Sequence, residues 1–101
     1  MDVTVTDARD HKRYEARVDG VLAAIADYIP TDELLAFTHT EVMPEFEGKG
    51  VGSMLIRHAL DDVRRQQLAV LAVCPFVSGF VQRHPEYGDL LYRSRTRAVV
   101  D

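Results

Sequence analysis

Apolar and polar residues alternate along the first part of the chain and change to a three- and four-residue spacing further on, and that change divides the expected elements. Val3-Thr4-Val5 reads as a short edge strand, with polar Asp7 to Lys12 as a turn. Tyr14 to Val18 alternates again, Asp19-Gly20 follows, and Val21 to Ala26 continues the apolar pattern. Asp-Gly between two such runs predicts a hairpin, because both residues tolerate the positive φ of a type I′ turn. Pro30-Thr31-Asp32 closes the second arm, and Leu34 to Val42 supplies another strand, giving an antiparallel meander. From Lys49 to Gln66 the residues Gly52, Leu55, Ile56, Ala59, Leu60 and Val63 share one helical face, opposite Ser53, Arg57, Asp61 and Arg64. The continuous run Leu68 to Val73 predicts a central strand, so strand, helix and strand form a right-handed crossover and a parallel pair. Phe76 to Arg83 predicts a short second helix stopped by His84-Pro85. Leu90-Leu91-Tyr92 is a last packing segment, and residues 93–101 read as a flexible tail with three arginines. The expectation is an α/β (α+β) domain over residues 1–92.

A chain of 101 residues, 47% hydrophobic and 28% charged, supports one modest core. A formal net charge of −4 and the lack of an interleaved aromatic platform argue against nucleic acid or an anionic membrane as partner. One cysteine excludes an internal disulfide, and neither a signal segment nor an apolar run of spanning length is seen, so the cytoplasm is the expected compartment. His11, His39, His58 and His84 lack metal-ligand spacing, and no metal is expected. A monomer or weak homodimer is expected.

The segment Met43-Pro44-Glu45-Phe46-Glu47-Gly48-Lys49-Gly50-Val51-Gly52-Ser53 joins a strand to a helix through glycines at alternate positions. Such a loop is an anion cradle: the unpaired N–H groups of the first helical turn and the positive end of the helix dipole converge there. A phosphate is the expected guest, although a tight strand-to-helix connection without ligand has the same spacing. It is not a Walker loop, since Lys49 is followed by Gly50, and the glycine spacing is one residue short of a dinucleotide fingerprint.

Val42-Met43-Pro44 followed by Gly48-Lys49-Gly50-Val51-Gly52 resembles the acetyl-CoA-binding segment of the GCN5-related N-acetyltransferases, Gln/Arg-x-x-Gly-x-Gly/Ala. With His39-Thr40-Glu41-Val42, Cys74-Pro75-Phe76 and His84-Pro85-Glu86-Tyr87, the chain resembles the very small, single-domain branch of that superfamily. It departs at Glu47, a carboxylate where the family has Gln or Arg. The resemblance implies acetyl-CoA as cosubstrate, an unidentified amine acceptor (small amine, peptide or protein), and direct attack of the amine through a tetrahedral intermediate whose oxyanion is held by N–H groups near Val42. It implies pantetheine in the slot between Leu34 to Val42 and Leu68 to Cys74. Val42 and Met43 would hydrogen-bond the arm, residues Glu47, Gly48, Lys49, Gly50, Val51, Gly52 and Ser53 would hold the pyrophosphate, and Cys74, Pro75, Phe76 and Phe80 would flank the slot. Arg83 would meet the 3′-phosphate. Plain core packing predicts the spacing of the two phenylalanines equally well.

Four side chains are candidates for chemistry. Cys74, at a strand end before a helix N-terminus, either takes the acetyl group or lines the slot. His39 and Glu41 share a strand face, so the imidazole can accept a proton from the amine with Glu41 orienting it, unless His39 is structural. Tyr87 is a candidate donor to the leaving thiolate by resemblance, with packing as its other reading. The alternative function is a CoA-binding module without useful catalysis, acting as a sensor or interaction protein.

Overall fold

The computed structural model describes residues 1–92; the expected tail lies outside the described residues. Strands β1 (Val3–Ala8), β2 (Arg13–Val18), β3 (Val21–Pro30) and β4 (Leu34–Val42) are followed by helix α1 (Val51–Arg65), strand β5 (Ala69–Ala72) and helix α2 (Pro75–Arg83). Short 3₁₀ turns cover Arg9–His11, Pro44–Phe46 and Pro85–Leu90. The five strands lie in sequence order, β1 to β4 antiparallel and β4 parallel to β5. The meander, parallel pair, long helix and short helix expected from the pattern are present, but β5, expected as a central strand, is the last strand of the sheet: its apolar run is covered by α1 and α2 while its outer edge meets only the bridge from Leu91. The β2–β3 turn has positive φ at Asp19 and Gly20, at 50° and 87°, as a type I′ turn requires.

Element ends differ for local reasons. Asp7, expected in a turn, belongs to β1: it lies opposite Tyr14 and accepts a 2.6 Å hydrogen bond from the Tyr28 hydroxyl. The long helix begins at Val51 rather than Lys49, because Gly50 sits at φ 79° in the left-handed region as its N-cap. β5 stops at Ala72, since the N–H groups of Val73 and Cys74 both turn to the carbonyl of Phe37, at 3.1 and 2.9 Å. After the last 3₁₀ turn, Leu91 bridges Val70 in parallel and Tyr92 N–H donates to Val70 O at 2.8 Å.

One sheet face presents Tyr14, Ala16, Ala24, Ala26, Tyr28, Leu35 and Phe37, all buried, and α1 lays Leu55, Ile56, Ala59, Leu60 and Val63 on it. Alanines at the centre let the helix approach closely, while Tyr14, Tyr28 and Phe37 form an aromatic trio with ring centroids 5.5 to 6.2 Å apart. Helix α2 packs against α1, β4 and β5. On the other sheet face lies the buried carboxylate of Glu15, held by Arg13 at 2.8 Å and Arg17 at 3.1 Å. No helix among the described residues is long and apolar enough to cross a membrane.

Candidate functional site

The site begins where β4 leaves β5. The two strands pair from Leu34 opposite Ala69 to Phe37 opposite Ala72, and no further. On its other edge β4 carries a bulge: Tyr28 faces Phe37 while Asp27 faces His39, so Thr38 is the extra residue. A bulge bends its strand, and β4 diverges from β5 at this point, leaving a slot between Thr38–Val42 and Cys74.

Register decides which amides face the slot. Met43 N–H donates to Ala23 O at 2.8 Å, and in that antiparallel register Glu41 and His39 are the hydrogen-bonded partners of Ile25 and Asp27. Thr40 and Val42 occupy the alternating non-hydrogen-bonded positions, so their N–H and C=O groups turn away from β3 and toward the slot. Met43, whose backbone is expected to bond a ligand, has its N–H committed to the sheet.

Beside the slot is a cavity of about 380 Å³ lined by Thr40, Val42, Phe46, Glu47, Gly48, Gly50, Val51, Gly52, Ser53 and Phe76. It opens on the N-terminus of α1, which has no side-chain cap and no acidic residue in its first turn. The first intrahelical donor is Met54, to Gly50 O at 3.1 Å, so the amides of Val51, Gly52 and Ser53 have no partner within the helix. Fifteen residues of aligned dipole end there. A Cβ at Gly52 would lie 2.7 Å from Phe76 Cζ and 3.1 Å from Val42 Cγ2; glycine lets α1, β4 and α2 meet at this corner. Glu47 lines the same cavity and is exposed.

Cys74, the N-cap residue of α2, is buried at the slot, its thiol donating to Thr40 Oγ1 at 3.4 Å. His39 and Glu41 do share a face, with His39 Nε2 and Glu41 Oε1 3.3 Å apart, but it is the exposed face opposite Thr40 and Val42, outside the cavity lining. The remaining candidates sit elsewhere. Phe80 is fully buried, with tilted ring contacts to His84 at 4.2 Å and Tyr87 at 6.0 Å between centroids, as core packing predicts. Arg83 closes α2 at the end away from Phe76, roughly 10 Å along the axis, which separates it from the cavity. Lys49 is exposed and does not line the cavity, nor does Pro75, the first residue of α2.

Tyr87 is tied to the outer side of α1. Its hydroxyl donates to Asp61 Oδ1 at 2.7 Å and accepts from Arg57 Nη1 at 3.3 Å, with the guanidiniums of Arg57 and Arg64 over its ring. Burial, and then the bond to Asp61, raise its pKa. Its phenol is therefore a tether rather than a free acid. Thr40 and Phe46 are the lining residues that sequence reading did not single out; Thr40 was legible as the residue two before Val42 on the same strand face.

Among the described residues no three His, Cys, Asp or Glu side chains are grouped to hold a metal. No curated protein sequence matches the chain. Solved structures do. A GCN5-like putative N-acetyltransferase from Staphylococcus aureus superposes with a TM-score of 0.66 at 19% identity, over 99% of this chain and 96% of that one. The ribosomal-protein-S18-alanine N-acetyltransferase from Escherichia coli gives 0.55 at 20% identity, over 57% of this chain and 38% of its own, so the chain spans under two fifths of that enzyme's length. AAC(6')-Iy, in complex with the bisubstrate analog CoA-S-monomethyl-acetylneamine, gives 0.50 at 20% identity, over 82% and 68%. These likenesses establish the fold. The profile of the family described as GCN5-related N-acetyl-transferase matches residues 13–90. With more than half its length inside that match, on a sheet that opens beside an uncapped helix start, the chain belongs to the GCN5-related N-acetyltransferase family.

Proposed function

We propose that the protein binds acetyl-CoA at the slot and transfers its acetyl group to an amine. The observation that carries the reading is the meeting, at one cavity, of the unpaired β4 edge at Thr40 and Val42 with the bare N-terminus of α1. Open amides at a helix start suit a diphosphate, and an unpaired strand edge suits the amide-bearing pantetheine arm. Val51, Gly52 and Ser53 would hold the diphosphate by main-chain N–H groups, Thr40 and Val42 the arm, and Phe76 would cover it. Acetyl-CoA supplies the activated acetyl group as a thioester. On the open side of β4, His39 donates Nε2–H to Glu41, which leaves Nδ1 as the nitrogen able to take the proton of an arriving amine. The acceptor's identity is open; the exposure of His39 and Glu41 suits a peptide or protein amine as well as a small one.

One observation favours the second reading, a CoA-binding module without useful turnover: among the described residues the cavity's ionisable lining is Glu47 alone. Two measurements separate the readings. Calorimetry with acetyl-CoA is expected to show saturable binding, with Tm raised by the equivalent of about 2.7 kcal/mol at 100 times Kd. Free thiol, followed with acetyl-CoA and a panel of primary amines, is expected to rise with acceptor. Binding without thiol release selects the module; no binding removes both. The variant Ser53→Glu, placing a carboxylate among the α1 amides, is expected to lower affinity at least tenfold.

A further inference from the structure

Transfer leaves a thiolate that needs a proton, and the phenol expected to give it is bound to Asp61. Two other polar side chains meet across the slot. Thr40 reaches in from β4 and Cys74 from the start of α2, with the thiol donating to Thr40 Oγ1 at 3.4 Å. Because that oxygen is the acceptor, the hydroxyl keeps its own proton for a further bond, and among the described residues no acceptor takes it. Thr40 also lines the cavity next to Val42, whose free amide faces the same opening. The pair is thus ordered as a relay from a buried thiol, through a hydroxyl, into the slot.

We propose that Thr40 and Cys74 protonate the departing CoA sulfur, an inference that rests on the acetyl-transfer reading above. As the amine nitrogen bonds the acetyl carbon and the carbon–sulfur bond breaks, the electron pair stays on the CoA sulfur. That sulfur takes the Thr40 hydroxyl proton while the Thr40 oxygen takes the Cys74 proton. The Cys74 thiolate, now accepting a charge-assisted hydrogen bond from Thr40, is reprotonated through the slot from solvent once CoA leaves, and His39 returns the proton it took from the acceptor nitrogen to solvent on the open face, so one proton is taken up and one released per turnover. Cys74 is a proton donor in this scheme and is not acetylated.

Thr40→Val removes the hydroxyl at nearly constant shape, and Thr40→Ser restores it. For Thr40→Val, acetyl-CoA Kd by calorimetry is expected within threefold of the parent, kcat for amine-dependent thiol release lower by 10- to 100-fold, and both near parental values in Thr40→Ser. A readout without cosubstrate accompanies it: iodoacetamide alkylation of Cys74 in the free protein should slow severalfold at pH 8 in Thr40→Val, the thiolate having lost its donor, and recover in Thr40→Ser. The relay is overturned if kcat and alkylation in Thr40→Val stay within twofold of the parent, or if mass spectrometry traps acetyl-Cys74 after acetyl-CoA alone. Absence of thiol release in the parent removes the transfer reading itself, and the relay with it.

Discussion

The two ends of α1 are built oppositely. At its C-terminal half side chains knot the helix to its surroundings: Asp62 accepts from Tyr14 at 2.6 Å, Arg65 at 3.1 Å and Gln66 at 3.0 Å, Asp61 takes the Tyr87 phenol, and Arg64 forks onto Asp89 at 2.8 and 3.0 Å and reaches the Glu86 carbonyl. At its N-terminus no side chain among the described residues caps it, and main-chain amides face a cavity. Apolar burial runs the whole length of the helix, from Val51 to Val63, whereas these polar side-chain ties gather at one end and the donors at the other stay unpaired within the helix. Helix starts without partners are unfavourable in isolation, and the anchored half offsets that cost.

The largest effect is expected where the anchoring is densest. Phe80 is fully buried under His84 and Tyr87, with Arg57 5.5 Å from its centroid. Phe80→Ala should lower unfolding free energy by about 3–5 kcal/mol, read as a fall in the urea midpoint at unchanged m. A loss this large shows that α2 and the Tyr87 turn it packs against are needed to hold α1 in place; a change under about 1 kcal/mol would mean that this corner contributes little.

Next in size is the Tyr14–Asp62 bond, which ties β2 to the helix. Tyr14→Phe should cost about 1.5–3 kcal/mol, since the lost hydrogen bond ends on a carboxylate. The same bond gives stability its pH dependence. Burial first, then the bond to Asp62, raise the Tyr14 pKa, and burial and then Asp7 raise that of Tyr28. The folded state thus holds phenolic protons that the unfolded chain loses near pH 10, and stability present below that pH declines as pH rises above it. For the carboxylates the direction reverses. The Arg13 hydrogen bond, partly opposed by burial, lowers the Glu15 pKa. Burial pushes Asp62 up, but the bonds from Tyr14 and Arg65 outweigh it and leave the pKa lowered. Their contribution is present above about pH 4 and is lost as pH falls through the folded values. In urea titrations across pH, Tyr14→Phe with Tyr28→Phe should reduce the alkaline limb to the Tyr87 part and leave the Glu15 part of the acid limb in place.

The sequence makes the anchored half of the fold legible and the site only partly so, and the reason lies in what each is made of. Leu55, Ile56, Ala59, Leu60 and Val63 declare their face by spacing, and Asp19-Gly20 declares its turn. The glycine run marks the helix start because Gly48 and Gly50 at φ 79° are positions where side chains are strained. What spacing cannot give is partner choice across long separations. Tyr87 and Asp61, 26 positions apart, meet only in the fold, and so do Thr40 and Cys74, 34 apart. The bulge at Thr38, which sets whether Val42 or Met43 offers its amide, leaves no mark in composition.

A smaller effect tests the bare end by backbone alone. Nothing lies within 4 Å of a Cβ built on Gly50, so Gly50→Ala meets no neighbour and carries only the left-handed conformational penalty. It should cost about 1–2 kcal/mol in chemical denaturation. At Gly52 the same change drives a Cβ into Phe76, and acetyl-CoA affinity should fall by more than in Gly50→Ala.

The smallest expected change in stability is the most telling, because its sign is opposite to that of the others. Ser53 is exposed in the third position of α1, where a carboxylate interacts favourably with the helix dipole and no acidic residue now stands. Ser53→Glu should therefore raise unfolding free energy by about 0.3–1 kcal/mol at low ionic strength, and the gain should shrink as salt is added. The same substitution is expected to weaken acetyl-CoA binding. An N-terminus shaped only by folding would gain stability and lose nothing, whereas one left bare for an anion trades affinity for stability in a single variant. Melting curves and calorimetry on the same preparation, at two salt concentrations, read both signs; stability gained with affinity unchanged would show that the diphosphate is held elsewhere.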